Sequence, residues 1–255
     1  MTFYDWLANT NNPKLQPKEY LFGTRHIIMI SITILAVIVL SIIFYKKSEK
    51  AKKILLTVLI SILLFFEITS RIVNFVITSD FSWQNIFKII MPLHICSVAV
   101  IVVIIAYFTK NKTLLSFSTI VGLLATFGFL IYPAVGINQK YIAFTNLYSI
   151  VSHMTGFIVA SLFINLGFVQ FKFQDIWKSY LCFAIMFAWG ALVDFVILPN
   201  SDYMYLRNDP LELNLGFPYH ILYLIIISIY ILAYYLICYI IQQVKLKHNK
   251  KWPSI

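Results

Sequence analysis

The sequence predicts an all-α polytopic membrane protein: seven transmembrane helices in one bundle, with the N-terminus outside and the C-terminus in the cytoplasm. Composition is the first reason. Hydrophobic residues make up 60% of the chain and charged residues 12%, whereas soluble domains carry about 25% charge. Periodic length is the second, because the apolar runs recur in windows of about 20 residues, enough to cross about 30 Å of hydrocarbon. The third is the uneven placement of lysine, which marks the cytoplasmic loops. Connections are short, so residues 27–241 form one transmembrane domain between an extracytoplasmic segment, 1–26, and a basic cytoplasmic tail, 242–255.

The first span is predicted over Ile27–Tyr45. The residues before it are polar and mixed in charge, and no small-residue cleavage site follows, so the span is retained as a helix. Lys46, Lys47, Lys50, Lys52 and Lys53 follow it. The second span, Ile54–Ile77, carries Glu67, Arg71 and Asn74 at i, i+4 and i+7, one stripe on which Glu precedes Arg at a favourable ion-pair spacing. The third, Ile86–Phe108, contains Pro92, whose ring removes a backbone hydrogen bond and can kink a helix. Lys110 and Lys112 lie beyond it.

The fourth span, Leu114–Tyr132, and the fifth, Asn146–Val169, carry small residues suited to helix packing, Gly122 with Ala125 and Ser149 with Gly156 and Ala160. Lys172 and Lys178 lead into the sixth, Ile176–Leu198. The seventh is Tyr219–Ile241, followed by Lys245, Lys247, Lys250 and Lys251. The opposite side collects Asp5, Glu19, Asp80, Asp202, Asp209 and Glu212 with fewer lysines. The net charge of +10 is mostly this topology signal, with the lysines at anionic headgroups, and does not point to nucleic acid.

Orientation converts to depth at 1.5 Å per residue. His94 and Cys96 lie roughly 12 and 15 Å below the outer boundary, His153 about 10 Å, Glu67, Arg71 and Asn74 about 16, 10 and 6 Å, and Asp194 and His220 about 4 to 6 Å. Ionisable groups inside hydrocarbon are costly unless paired, wetted or used. Their common layer, with an almost unpolar cytoplasmic half, argues for a single cavity open to the outer face. His94 and Cys96 stand about 200° apart on a regular helix, so both cannot face its centre. Membrane lipids are the environment of these spans.

Three cysteines are present. Cys182 and Cys238 fall in the cytoplasmic half and Cys96 in the outer half, a separation that argues against a disulfide. Free buried cysteine is usually a small hydrophobe; if used, its thiolate is a nucleophile activated by an imidazole. Arg71 can hold an anionic group or simply neutralise Glu67. The segment 200–217, with Asp202, Tyr203, Tyr205, Arg207, Asp209 and Glu212, is long enough to form a polar lid or headgroup reader.

The segments MPLHICS, GLLATFGFLIYP, IVSHMTG, and DYMYLRNDP followed by LGFPYHIL resemble the YwaF-type family of bacterial integral membrane proteins, in order, from about the second span onward. That family is similar to a vertebrate transmembrane acyltransferase acting on ether phospholipids, and more remotely to androgen-induced intramembrane hydrolases of fatty-acid esters. The resemblance implies lipid acyl transfer or ester hydrolysis, with Cys96 in the P-x-H-x-C pattern as nucleophile and His153 as its partner. Asp194 can orient His153 or His220 as the third member of a triad does. Glu67, Arg71, Asn74, His94, Tyr203, Arg207 and His220 are the expected substrate-binding residues.

No cofactor is implied. A competing use of His94, His153, His220 and Asp194 is metal binding from four helices, although no H-x-x-x-H pair occurs. A transporter or binding protein also needs a wet polar cavity, but with a path onward to the cytoplasm.

Overall fold

The computed structural model describes residues 2–10, 12–133, 136–204, 206 and 219–248, with side chains undescribed at 219–220 and 244–248. Among the described residues ten α-helices run in chain order: α1 Phe3–Ala8, α2 Pro17–Tyr20, α3 Thr24–Tyr45, α4 Glu49–Ile77, α5 Trp83–Ile90, α6 Ile95–Thr109, α7 Lys112–Ile131, α8 Phe144–Asn165, α9 Ile176–Ala191 and α10 Tyr219–His248. Six helical segments are long and apolar enough to cross a membrane; α5 and α6, bent by 52°, complete a seventh. The chain is an all-α polytopic membrane protein.

Helix limits follow local chemistry. Ser48 accepts from the Ala51 amide at 3.3 Å, which starts α4 before its apolar run begins. Asn111 accepts from the amides of Thr113 and Leu114 at 3.0 and 3.1 Å and so starts α7. The fifth span ends at Asn165, short of the expected Val169, because Gly167 takes φ 83° and turns the chain out of the helix. The sixth span closes in a π-helical turn, Leu192–Ile197, a local widening that often accompanies function.

Core positions recur at helical period. On α4 the buried stripe is Leu56, Ile60, Leu63, Glu67 and Ser70, so Glu67 occupies a position where the repeat asks for leucine. Val159, Leu162 and Phe163 of α8 meet Ile120 and Val121 of α7, all buried. Small residues allow this close approach: a Cβ on Gly122 would stand 3.3 Å from Ala160 Cβ, and one on Gly156 would stand 3.0 Å from Thr126 Cγ2. Central α8 packs on α3, α4, α6 and α7. Tyr230 joins α10 to α7 by donating to the Ile120 carbonyl at 3.1 Å.

The N-terminal segment lies across the α7–α8 connection. Leu15 donates to the Asn138 carbonyl at 2.7 Å, Lys140 to that of Pro13 at 3.0 Å, and the Trp6 indole to that of Ile142 at 3.0 Å. This end of the bundle also carries the α4–α5 turn and the segment after α9.

Candidate functional site

The break between α5 and α6 builds the site. Pro92 cannot donate to the preceding turn, so the helix stops at Ile90 and restarts at Ile95. Carbonyls freed at membrane depth need donors, and two side chains from elsewhere supply them. Arg71 Nη1 donates to the Ile89 carbonyl at 2.8 Å and also to that of Ile90. The indole of Trp189 donates to the Pro92 carbonyl at 3.0 Å.

Arg71 Nη2 pairs at the same time with Glu67, the predicted i, i+4 ion pair. The other Glu67 oxygen accepts from the Tyr148 hydroxyl at 2.7 Å. A carboxylate on a buried stripe is thereby neutralised and hydrogen-bonded on both oxygens, which is what its burial requires.

A cavity of about 240 Å³ opens against this network, lined by Glu67, Ser70, Arg71, Asn74, Lys88, His94, Ser97, Tyr148 and Tyr203 among others. Five of the expected binding residues thus come together: Glu67, Arg71, Asn74, His94 and Tyr203. Lys88, Ser97 and Tyr148 join them. Arg207 and the rest of the expected lid from 207 onward lie outside the described residues, as do Tyr205 and the side chain of His220.

His94 and Cys96 do not compete in the way helical phase implies. His94 is the extended residue before α6, φ −77° and ψ 150°, so its direction is independent of the helix that carries Cys96. Its ring meets that of Tyr203 edge to face at 4.9 Å. Cys96, in the first turn of α6, is half-buried and is not among the residues lining the cavity. It lies near enough to Glu67 and Tyr148 to interact with both electrostatically.

His153 stands apart from this cluster. Its Nδ1–H donates to the Ser149 carbonyl at 2.7 Å, and its ring stacks on Phe129 at 3.9 Å and 13°. Among the described residues, Cys96 and His153 share no hydrogen bond. Asp194 is fully buried in the π-helical turn. It accepts from Ser201 Oγ at 2.8 Å and from the amides of Tyr203 and Met204 at 3.1 and 3.3 Å, which fixes the segment that holds the Tyr203 ring over His94. Burial, and then the Asp194 carboxylate, push the Tyr203 phenol above its ordinary range.

One expectation is corrected. The polar layer does not face one cavity: His153 turns to Phe129, Asp194 to the segment that follows it, and a second cavity of about 740 Å³ opens at the lysine-rich end. Among the described residues, which do not include the side chain of His220, no three His, Cys, Asp or Glu side chains group as metal ligands. Tyr148 and Trp189 escape sequence reading, since an aromatic residue within a span gives no sign of which polar group it will reach.

No curated protein and no solved structure matches the chain. The family model that does match extends over residues 21–239, from α3 through the cavity and into α10, and by it the chain belongs to the TMEM164 family.

Proposed function

We propose that the cavity beside the α5–α6 break is a lipid acyl-transfer or lipid-ester-hydrolysing site, facing outward with the lysine-rich end in the cytoplasm. The observation that carries this is a cysteine in the first turn of a half-helix that starts at the wall of a cationic polar cavity. The first helical hydrogen bond of α6 is from Val98 to the His94 carbonyl at 3.0 Å, so the amides of Ile95, Cys96 and Ser97 have no helical acceptor. Such a terminus stabilises a developing oxyanion. Arg71 and Lys88 suit the phosphate of a phospholipid.

In this scheme the Cys96 thiol yields its proton to an imidazole, and the sulfur attacks the ester carbonyl. The alkoxide leaves with that proton and a thioester remains. An acceptor alcohol, or water, then displaces the sulfur and restores the thiol. His94 is the imidazole that lines the cavity, and His153 is the one the resemblance implies. Asp194 acts at one remove as a positioning residue for Tyr203.

A lipid-tailed, thiol-directed activity probe tests the scheme on wild type, Cys96→Ala, His94→Ala and His153→Ala. Labelling should vanish in Cys96→Ala and fall at least tenfold in the variant that lacks the working imidazole. Equal labelling in all four proteins would sink it.

A further inference from the structure

We propose that the second cavity, at the end of the bundle opposite the break, binds a phosphorylated anion with an apolar portion. The proposal holds whether or not the first cavity is catalytic. Five lysines line this cavity of about 740 Å³: Lys53 from α4, Lys110 and Lys112 flanking the α6–α7 turn, Lys172 from the α8–α9 connection and Lys178 from α9. Among the described residues only two carboxylates, Glu49 and Asp175, line the cavity with them. Both are engaged, Glu49 with Lys52 at 2.8 Å and Asp175 with Lys178 at 2.6 Å. Among the described residues Lys53, Lys110, Lys112 and Lys172 form no ion pair.

The bias that fixes topology asks for lysines in cytoplasmic connections, but not for lysines from four separate connections and helices to converge on one concavity. Convergence costs mutual repulsion and focuses a positive potential into the cleft, which an anion relieves. The backbone contributes to it. Lys110 adopts the left-handed conformation, φ 55°, unusual outside glycine and asparagine, and so closes the short turn that sets Lys110 and Lys112 on one rim.

The rest of the lining includes aromatic side chains. Phe108, which is largely exposed, and the half-buried Tyr107 and Phe168 line the cavity with the buried Tyr235, whose hydroxyl is already shared with Ser179 Oγ at 2.8 Å. A lining of lysines and aromatic rings together matches a phosphate ester joined to an apolar group, from either the headgroup of an anionic phospholipid in that leaflet or a soluble phosphate ester.

Thermal unfolding of the full chain in neutral detergent, titrated with dioctanoyl phosphatidic acid, inorganic pyrophosphate or dioctanoyl phosphatidylcholine, tests this. Phosphatidic acid, pyrophosphate or both should raise the Tm saturably, and phosphatidylcholine should not. A shift with the lipid alone assigns the site to a headgroup; a shift with pyrophosphate assigns it to free phosphate chemistry. The double variant Lys110→Gln/Lys172→Gln should bind about thirty-fold more weakly, on the order of 2 kcal/mol at 1.4 kcal/mol per tenfold. Lys110→Arg/Lys172→Arg should retain binding. Both residues are exposed, so the unliganded Tm should change little. No shift with either anion, an equal shift with phosphatidylcholine, or unchanged affinity in the glutamine variant overturns the proposal.

Discussion

Tyr148 and Glu67 offer a direct measurement of how the site is held. Tyr148→Phe removes one hydroxyl from an otherwise unchanged ring and leaves the Glu67 oxygen, 2.7 Å away in the native chain, with one donor fewer. Hydrogen bonds to charged groups contribute about 1.5–3 kcal/mol, and those between neutral groups about 0.5–1.5 kcal/mol. At roughly 2–4 °C per kcal/mol for a chain of this size, Tyr148→Phe should lower the Tm by about 3–12 °C in wild type. In a Glu67→Gln background the acceptor is neutral, and the same change should cost about 1–6 °C. The difference is the coupling energy, about 1–2 kcal/mol. Tryptophan fluorescence during heating in detergent follows all four proteins of the cycle. Identical drops in both backgrounds would show that the 2.7 Å contact does not bear on the carboxylate charge.

Trp189→Phe leaves the Pro92 carbonyl without its donor. Stability should fall by about 1–3 kcal/mol, and Cys96 should react faster with a maleimide as the break loosens; an unchanged rate of modification would count against the clamp. Gly136→Ala places a Cβ 2.5 Å from Phe129 Cζ and 3.1 Å from Ile150 Cγ1. Because the Phe129 ring is itself stacked on His153, it cannot swing freely, and a loss of about 1–3 kcal/mol is expected in thermal unfolding. At the N-terminus, the Thr2 hydroxyl and amide, and then the Thr10 hydroxyl, hold the Asp5 carboxyl at about 2 against an ordinary 3.8. A depressed folded-state value stabilises above the unfolded value and is lost as pH falls. Amide exchange in α1, corrected for intrinsic rates, should therefore speed up between about pH 4 and 2 and be flat above.

The spans were legible in the sequence because burial in hydrocarbon leaves so few ways to arrange polar atoms. Hydropathy placed most helix limits within a few residues, and two that moved did so for short-range reasons: Ser48 extends α4, and Gly167 curtails α8. The Glu67–Arg71 pair was legible from its i, i+4 spacing. Its further contacts were not, since the Ile89 and Ile90 carbonyls become available to Arg71 only once Pro92 has stopped a helix on another span. For the same reason helical phase misjudged His94, which the break removes from the helix altogether. Asp194 was visible as a buried acid, but its role depends on where the segment after α9 folds back. That is a property of tertiary path, not of local pattern. The lysine-lined cavity was hidden within a signal already spent on orientation.

The third span also sets an order in which the protein can be built. As α5 and α6 leave the ribosome, Arg71 is already present 18 residues behind the Ile89 carbonyl that it will bind. The donor for Pro92, Trp189, is 97 residues ahead. Until the sixth span arrives, the Pro92 carbonyl must remain with water or be carried by the insertion machinery, because hydrocarbon offers it nothing. The nascent bundle thus keeps one wet seam beside its future cavity, which α9 closes only after α7 and α8 have been made.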